Sequence, residues 1–175
     1  GIAMMVAEEL EVGLDQIDLQ EAPPDAELYT DTLLQFQATG GSTSTRYTWE
    51  PLRRAGATAR ILLVEAAASV WKVEAGQCQA RDGQVLGPDG QALGYGKLVD
   101  LAATYPLPET VELKQPDAFR LIGTPAQRLD TPAKVNGEAK FTIDLDVPGM
   151  LITSARACPV YGGTVRQVSD RAARA

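Results

Sequence analysis

Histidine is absent from the 175-residue sequence, which removes the commonest general base, the commonest metal ligand and every histidine-containing triad at once. Cysteine is nearly absent. Cys78 and Cys158 stand far apart in the chain, so neither a zinc site nor a Cys/His nucleophile pair can be assembled, and both are read as small half-buried thiols. Cations are missing from the first 45 residues: all nine charges there are acidic, and Arg46 is the first cation. No apolar run approaches the roughly 18 residues of a membrane span; the longest is Ile61, Leu62, Leu63 and Val64 with the alanines after Glu65. The formal charge of −7 repels a phosphate backbone, which argues against nucleic acid as a partner. A chain with 45% apolar and 22% charged residues is nevertheless a globular composition, sized for one ordinary domain or two small ones. If such a chain serves an enzyme, a bound cofactor or another chain brings the chemistry. The start has no initiator methionine and no basic signal-peptide region, and both ends read as interior to a longer protein.

Ile2, Val6 and Leu10 share a helical face with Ala3 and Ala7, while Glu8, Glu9 and Glu11 fall opposite, and Gly13 is placed to end the helix. Residues 17–19 read as a short strand and residues 22–45 as a long loop without period. From Pro51 to Val73 the set Leu52, Ala55, Ala59, Leu62, Ala66, Val70 and Val73 recurs every three or four residues. This predicts a helix over 51–73 that buries Leu52, Ala59, Leu62 and Ala66 and turns Arg53, Arg54, Arg60 and Lys72 to solvent. Asp82-Gly83 predicts a hairpin between 77–81 and 84–86, Pro88-Asp89-Gly90 a second turn, and 95–103 a short helix. Residues 106–132, rich in proline, read as an extended linker, with a domain cut between 118 and 119. Beyond it, alternation predicts strands over 139–145, 150–157 and 164–168.

Two stretches are candidates for chemistry. Gly40, Gly41, Ser42, Thr43 and Ser44 precede a helix, and such a loop offers amides, hydroxyls and close backbone approach to an anion or a pterin-type head group. The lysine of a phosphate-binding P-loop is missing, and the pattern equally suits a plain connector. The stretch from Arg128 to Leu151 is, on its residues alone, a charged loop and hairpin. No residue qualifies as catalytic or as a metal ligand.

Arg128, Asp130, Lys134-Val135, Gly137, Ala139, Phe141, Asp144 and Pro148-Gly149-Met150-Leu151 resemble, in order, the opening of the α/β-hammerhead domain of the xanthine dehydrogenase and aldehyde oxidase family. Gln37, Thr39-Gly40-Gly41-Ser42-Thr43-Ser44 and Trp49-Glu50-Pro51-Leu52-Arg53, with Val6-Ala7-Glu8-Glu9-Leu10 before them, resemble the molybdopterin-binding stretch of its isoquinoline 1-oxidoreductase β-subunit-like branch. The resemblance implies an α+β chain with a partial molybdopterin-binding domain over 1–118 and a truncated hammerhead over 119–175. It also implies a molybdenum hydroxylase subunit that uses molybdopterin cytosine dinucleotide on an aldehyde or N-heteroaromatic substrate and passes electrons to a small subunit with [2Fe-2S] clusters. Gly40, Gly41, Ser42, Thr43 and Ser44 would contact the cofactor. The family's Gly-Gln-Gly loop before Ile2 and its catalytic glutamate are not in this sequence, so the chain alone is expected to be inactive and to hold no cofactor without the remainder of the subunit. A periplasmic location is implied by the same likeness. The alternative is a non-catalytic binding or assembly module.

Overall fold

The computed structural model describes residues 1–20 and 22–174. The chain divides into two units, Gly1–Leu129 and Asp130–Ala175.

Two helices frame the first unit: α1, Ile2–Leu10, and α3, Thr43–Trp71. Their crossing is close because Gly56 has no side chain; a Cβ there would stand 2.5 Å from the Val6 carbonyl oxygen and 3.1 Å from Glu9 Cβ. Met5 meets Thr48, Glu9 meets Arg53, and Glu9 also reaches Arg60. Residue numbers rise together along both helices, so α1 and α3 run in the same direction. The α3 helix starts earlier than the periodicity of 51–73 predicts and passes through Pro51, which deprives one carbonyl of its partner without ending the helix. Its buried stripe is Arg53, Gly56, Ala57, Leu63, Ala66 and Ala67, turned by about one residue from the predicted one. Of the expected set only Ala66 is fully buried, Leu52, Ala59 and Leu62 being half-buried. Small residues set the crossing point, and the larger aliphatic side chains flank it.

The α1 helix ends at Glu11, left-handed at φ 59°, rather than at Gly13, which instead precedes a single 3-10 turn over Leu14–Gln16. Residues 17–19 are irregular and form no strand. A short helix, α2, covers Ala26–Tyr29, and an isolated bridge joins Asp31 to Phe36; the expected long loop therefore has local structure.

The predicted hairpin is present. Strands β1, Gln79–Arg81, and β2, Gln84–Leu86, pair antiparallel, and β3, Ala92–Gly94, adds to β2 in the order β1-β2-β3. Asp82 at φ 49° and Gly83 at φ 79° supply the two positive dihedrals that a two-residue turn needs to match strand twist. A 3-10 turn and helix α4, Val99–Ala102, cover the region read as a short helix. Leu63, Ala66, Ala67, Val85, Leu98 and Ala102 form the core, with Leu10, Trp71 and Tyr105 packed against it. Burying Leu98 alone contributes about 2 kcal/mol of transfer free energy. The architecture is thus mixed helix with one small three-stranded antiparallel sheet.

The region read as a linker over 106–132 is irregular, yet its residues 114–122 are bonded to α1 (below). By its contacts the first unit runs to Leu129.

The second unit contains α5, Thr131–Val135, and single 3-10 turns. None of the predicted strands over 139–145, 150–157 or 164–168 forms. Phe141, Ile143, Leu145, Leu151, Ile152 and Val165 are exposed. A strand alternates one face toward a core, and where no second layer covers that face an isolated hairpin is marginal in water.

Candidate functional site

Two constellations carry the polar chemistry of the first unit. One is a buried ion cluster at α1. Glu8 and Glu9, which the sequence places on the face opposite the apolar residues, are 1% and 0% exposed. Arg53, expected in solvent, donates to Glu9 Oε1 from Nε at 2.9 Å and from Nη2 at 2.6 Å, and to the Lys114 carbonyl at 2.6 Å. Its guanidinium lies in the corner of an edge-to-face ring pair, 4.8 Å from Trp49 and 5.0 Å from Phe119, an arrangement that stabilises a desolvated cation. The amides of Arg120, Leu121 and Ile122 donate to Glu8 at 2.7–3.1 Å, and Lys114 Nζ joins them at 2.8 Å. Burial pushes the Glu8 pKa up, but the Lys114 ammonium and the three amides outweigh it and hold the carboxyl at about 2. A carboxylate so fully occupied stays ionised near neutral pH, and through these bonds it fastens the 114–122 segment to α1. Sequence reading missed the cluster because the charges that neutralise Glu8 and Glu9 come from Arg53, Arg60 and Lys114.

The second constellation is the loop before α3. Gly40, Gly41 and Ser42 are exposed, Thr43 is buried and Ser44 is half-buried. Gly41 and Ser42 are both left-handed, at φ 60° and 58°, which turns the chain into the helix. The Thr43 amide donates to the Gly40 carbonyl at 3.2 Å, and the Thr39 and Ser44 hydroxyls are 2.7 Å apart. Ser42 stands at the N-cap without a side-chain cap bond, and no acid occupies the first turn. The Thr43 and Arg46 amides are taken by the Gly40 and Ser42 carbonyls, and the Ser44 and Thr45 amides between them point out of the helix end. A Cβ added at Gly41 would meet nothing within 4 Å, and one at Gly40 only Leu34 Cδ1 at 3.9 Å; the backbone of both glycines is open to a ligand. The N-terminus of α1 also lacks a side-chain cap and an acid in its first turn, and because α1 and α3 run the same way both positive ends face one end of the unit. The structure brings the five sequence candidates into one turn, of which Gly40, Gly41 and Ser42 present accessible backbone while Thr43 points inward.

Behind the loop lies Asp31, 1% exposed. Its Oδ1 accepts from the Leu33 and Leu34 amides at 2.7 and 3.1 Å. Burial pushes its pKa up, and the Thr43 hydroxyl with those two amides brings it below the ordinary value. The Gly40 amide in turn donates to Thr43 Oγ1 at 3.4 Å. Asp31 was not singled out by sequence; an aspartate in an acidic, irregular stretch carries no periodic signal.

Among the described residues no three potential ligands of the histidine, cysteine or acidic type gather to hold a metal, and no helix is long and apolar enough to cross a membrane.

Residues 1–143 match the molybdopterin cofactor-binding domain. The chain is 33% identical to the isoquinoline 1-oxidoreductase β-subunit of Brevundimonas diminuta, over 97% of its own length and 26% of that protein. It is 31% identical to the membrane-bound aldehyde dehydrogenase [pyrroloquinoline-quinone] of Gluconacetobacter polyoxogenes, over 99% of the chain and 22% of that protein. It is also 31% identical to a nicotinate dehydrogenase subunit of Pseudomonas putida, over 86% of the chain and 12% of that protein. The chain thus spans about a quarter or less of the length of these relatives.

Proposed function

The chain belongs to the molybdopterin cofactor-binding domain family, and from that premise we propose that it supplies the 40–44 loop as one wall of the cofactor site in an oxidoreductase subunit. The enzyme inserts a water-derived oxygen into an aldehyde or N-heteroaromatic C–H bond. Two of the relatives are named for isoquinoline and nicotinate and one for aldehyde, which supports this substrate class. The observation that carries the reading is the open backbone at Gly40 and Gly41, set at an uncapped helix end.

The residues fit a pterin-type group. The amides of Gly41, Ser42 and Ser44 and the hydroxyls of Ser42 and Ser44 can bond a planar heterocycle whose edge alternates donors and acceptors. The cofactor, in the form of molybdopterin cytosine dinucleotide, supplies the redox chemistry when bound. This chain's part is to orient it and to exclude water at one wall. The buried Glu8, Glu9 and Arg53 cluster fixes α1 against α3, and so fixes the loop's platform. Other segments of the subunit complete the site, and a small [2Fe-2S] subunit takes the electrons. Residues 1–129 form the cofactor-binding unit, and the stretch after it opens a hammerhead-type domain, a reading supported by the ordered motif from Arg128 to Leu151. Two of the relatives are named as single subunits of their enzymes, in keeping with a multisubunit assembly.

The test is molybdenum per protomer in the full-length protein. Gly41 is left-handed, so valine there would strain the backbone regardless of ligand. Gly40→Val is the cleaner probe, because its Cβ meets only Leu34 in the chain yet occupies the ligand's approach. We expect loss of molybdenum with unchanged circular dichroism; equal metal content would make the loop a connector, as in a non-catalytic module.

A further inference from the structure

Gly40 and Thr43 exchange two hydrogen bonds: the Thr43 amide donates to the Gly40 carbonyl at 3.2 Å, and the Gly40 amide donates to Thr43 Oγ1 at 3.4 Å. The ring so closed holds Gly41 and Ser42 between its ends, both exposed and left-handed. While Oγ1 accepts from Gly40, the Thr43 hydroxyl donates to the carboxylate of Asp31, which is 1% exposed. Asp31 is itself a fixed post. Its amide donates to the Phe36 carbonyl at 3.2 Å, its carbonyl accepts from the Gln35 amide at 2.7 Å, and its Oδ1 accepts from the amides of Leu33 and Leu34. Leu34 in turn backs Gly40, with its Cδ1 3.9 Å from where a Cβ there would stand. We infer that Asp31 is a positioning residue for the 40–44 turn: through the Thr43 hydroxyl and through Leu34 it sets the backbone of Gly40 and keeps Gly41 and Ser42 exposed. The inference rests on the proposed cofactor site, and Asp31 acts there through its neighbours without touching ligand.

Two left-handed residues in succession, one of them a serine, are a conformation that an exposed turn does not keep unaided. Ser42 makes no side-chain cap bond that would hold it. The Thr39 and Ser44 hydroxyls, 2.7 Å apart, tie the turn at its exposed side, where water competes. The tie to Asp31 is the buried one. A hydroxyl that donates to a carboxylate makes a charge-assisted bond, stronger than a neutral one and strengthened further where solvent is excluded. That bond fixes the hydroxyl rotor and leaves the Oγ1 lone pairs to accept from Gly40.

The test replaces Thr43 in the full-length protein by valine, which keeps the shape and loses the hydroxyl, and by serine, which loses the methyl and keeps the hydroxyl. If Thr43 only fills a buried place, valine should serve as well as threonine, and serine worse. The relay from Asp31 gives the reverse order: molybdenum per protomer is lost in Thr43→Val and retained in Thr43→Ser. Asp31→Ala should match Thr43→Val, and the double variant should lose no more than either single one. In the 175-residue chain without ligand, the Gly40 amide should exchange with solvent about tenfold faster in Asp31→Ala and in Thr43→Val than in wild type, with the amides of Ala66 and Ala67 unchanged. Unchanged exchange at Gly40 in both variants overturns the positioning role, as does molybdenum content higher with valine than with serine. Faster exchange at Gly40 together with wild-type molybdenum content overturns the cofactor reading instead, and leaves Asp31 an anchor of the turn alone. Should Asp31→Ala fail to fold, the order of valine and serine at position 43 decides by itself.

Discussion

Arg53 Nη2 lies 2.6 Å from Glu9 Oε1 with both side chains all but excluded from solvent, so the central contact between the two parallel helices is an ion pair and not an apolar stripe. Each charge is desolvated for the sake of the other. Replacing Arg53 leaves the buried Glu9 carboxylate with the Lys114 amide at 3.2–3.3 Å and Arg60 at 3.8 Å, so Arg53→Met should cost about 3 kcal/mol, the lower end of the range for a broken buried pair. In the double variant Arg53→Met with Glu9→Leu no charge is stranded, and the loss should be smaller than the sum of the single losses. Urea unfolding of all four proteins measures the coupling, and additive losses would show that the pair is not coupled.

Gly56 is the steric counterpart of that pair. Alanine is the better helix former by up to about 1 kcal/mol, but its Cβ would stand 2.5 Å from the Val6 carbonyl oxygen, and α1 must retreat. Gly56→Ala is expected to destabilise by about 1–3 kcal/mol, read as a lower melting temperature. An unchanged or raised melting temperature would contradict the close crossing.

Glu8 gives the first unit an acid limb. Its folded pKa of about 2 lies below the ordinary value of 4.5, so the protonated form is the one disfavoured by folding. The stabilisation is complete above pH 4.5, falls as pH drops from there toward 2, and amounts to on the order of 3 kcal/mol. Glu8→Gln should be less stable than wild type at neutral pH and should lose less on acidification. Urea midpoints at about pH 7, above the window in which the carboxylate titrates, and at about pH 3, inside it, test this for both proteins.

The Asp82-Gly83 turn depends on glycine at one position. Gly83 is at φ 79°, and the nearest obstacle to a Cβ is the mobile end of Gln16, so the cost of Gly83→Ala is conformational, about 1 kcal/mol. Chemical denaturation should show that loss with the slope unchanged.

Ile143 and Ile152 are 91% and 94% exposed. Changing either to serine should alter stability by less than about 0.5 kcal/mol. A larger loss on denaturation would mean that these residues pack in strands, as their alternation suggests.

Sequence alone determined what is local. Asp82 and Gly83 specify their turn whatever surrounds them, because the dihedrals belong to those two residues. The absence of histidine set the limit on chemistry, and the 40–44 glycines and hydroxyls marked the loop. Tertiary structure decided which polar residues go inside. Glu8, Glu9 and Arg53 fall outside the predicted apolar faces because helical periodicity counts apolar residues, and a charge can be buried when its counter-charge arrives from another segment, here from Lys114 and the amides of residues 120–122. The same dependence worked in reverse beyond Leu129, where alternation in Phe141, Ile143 and Leu145 promised strands that no second layer covers. A turn is fixed by its own backbone, whereas a buried charge and a half-buried strand exist only by virtue of what packs against them.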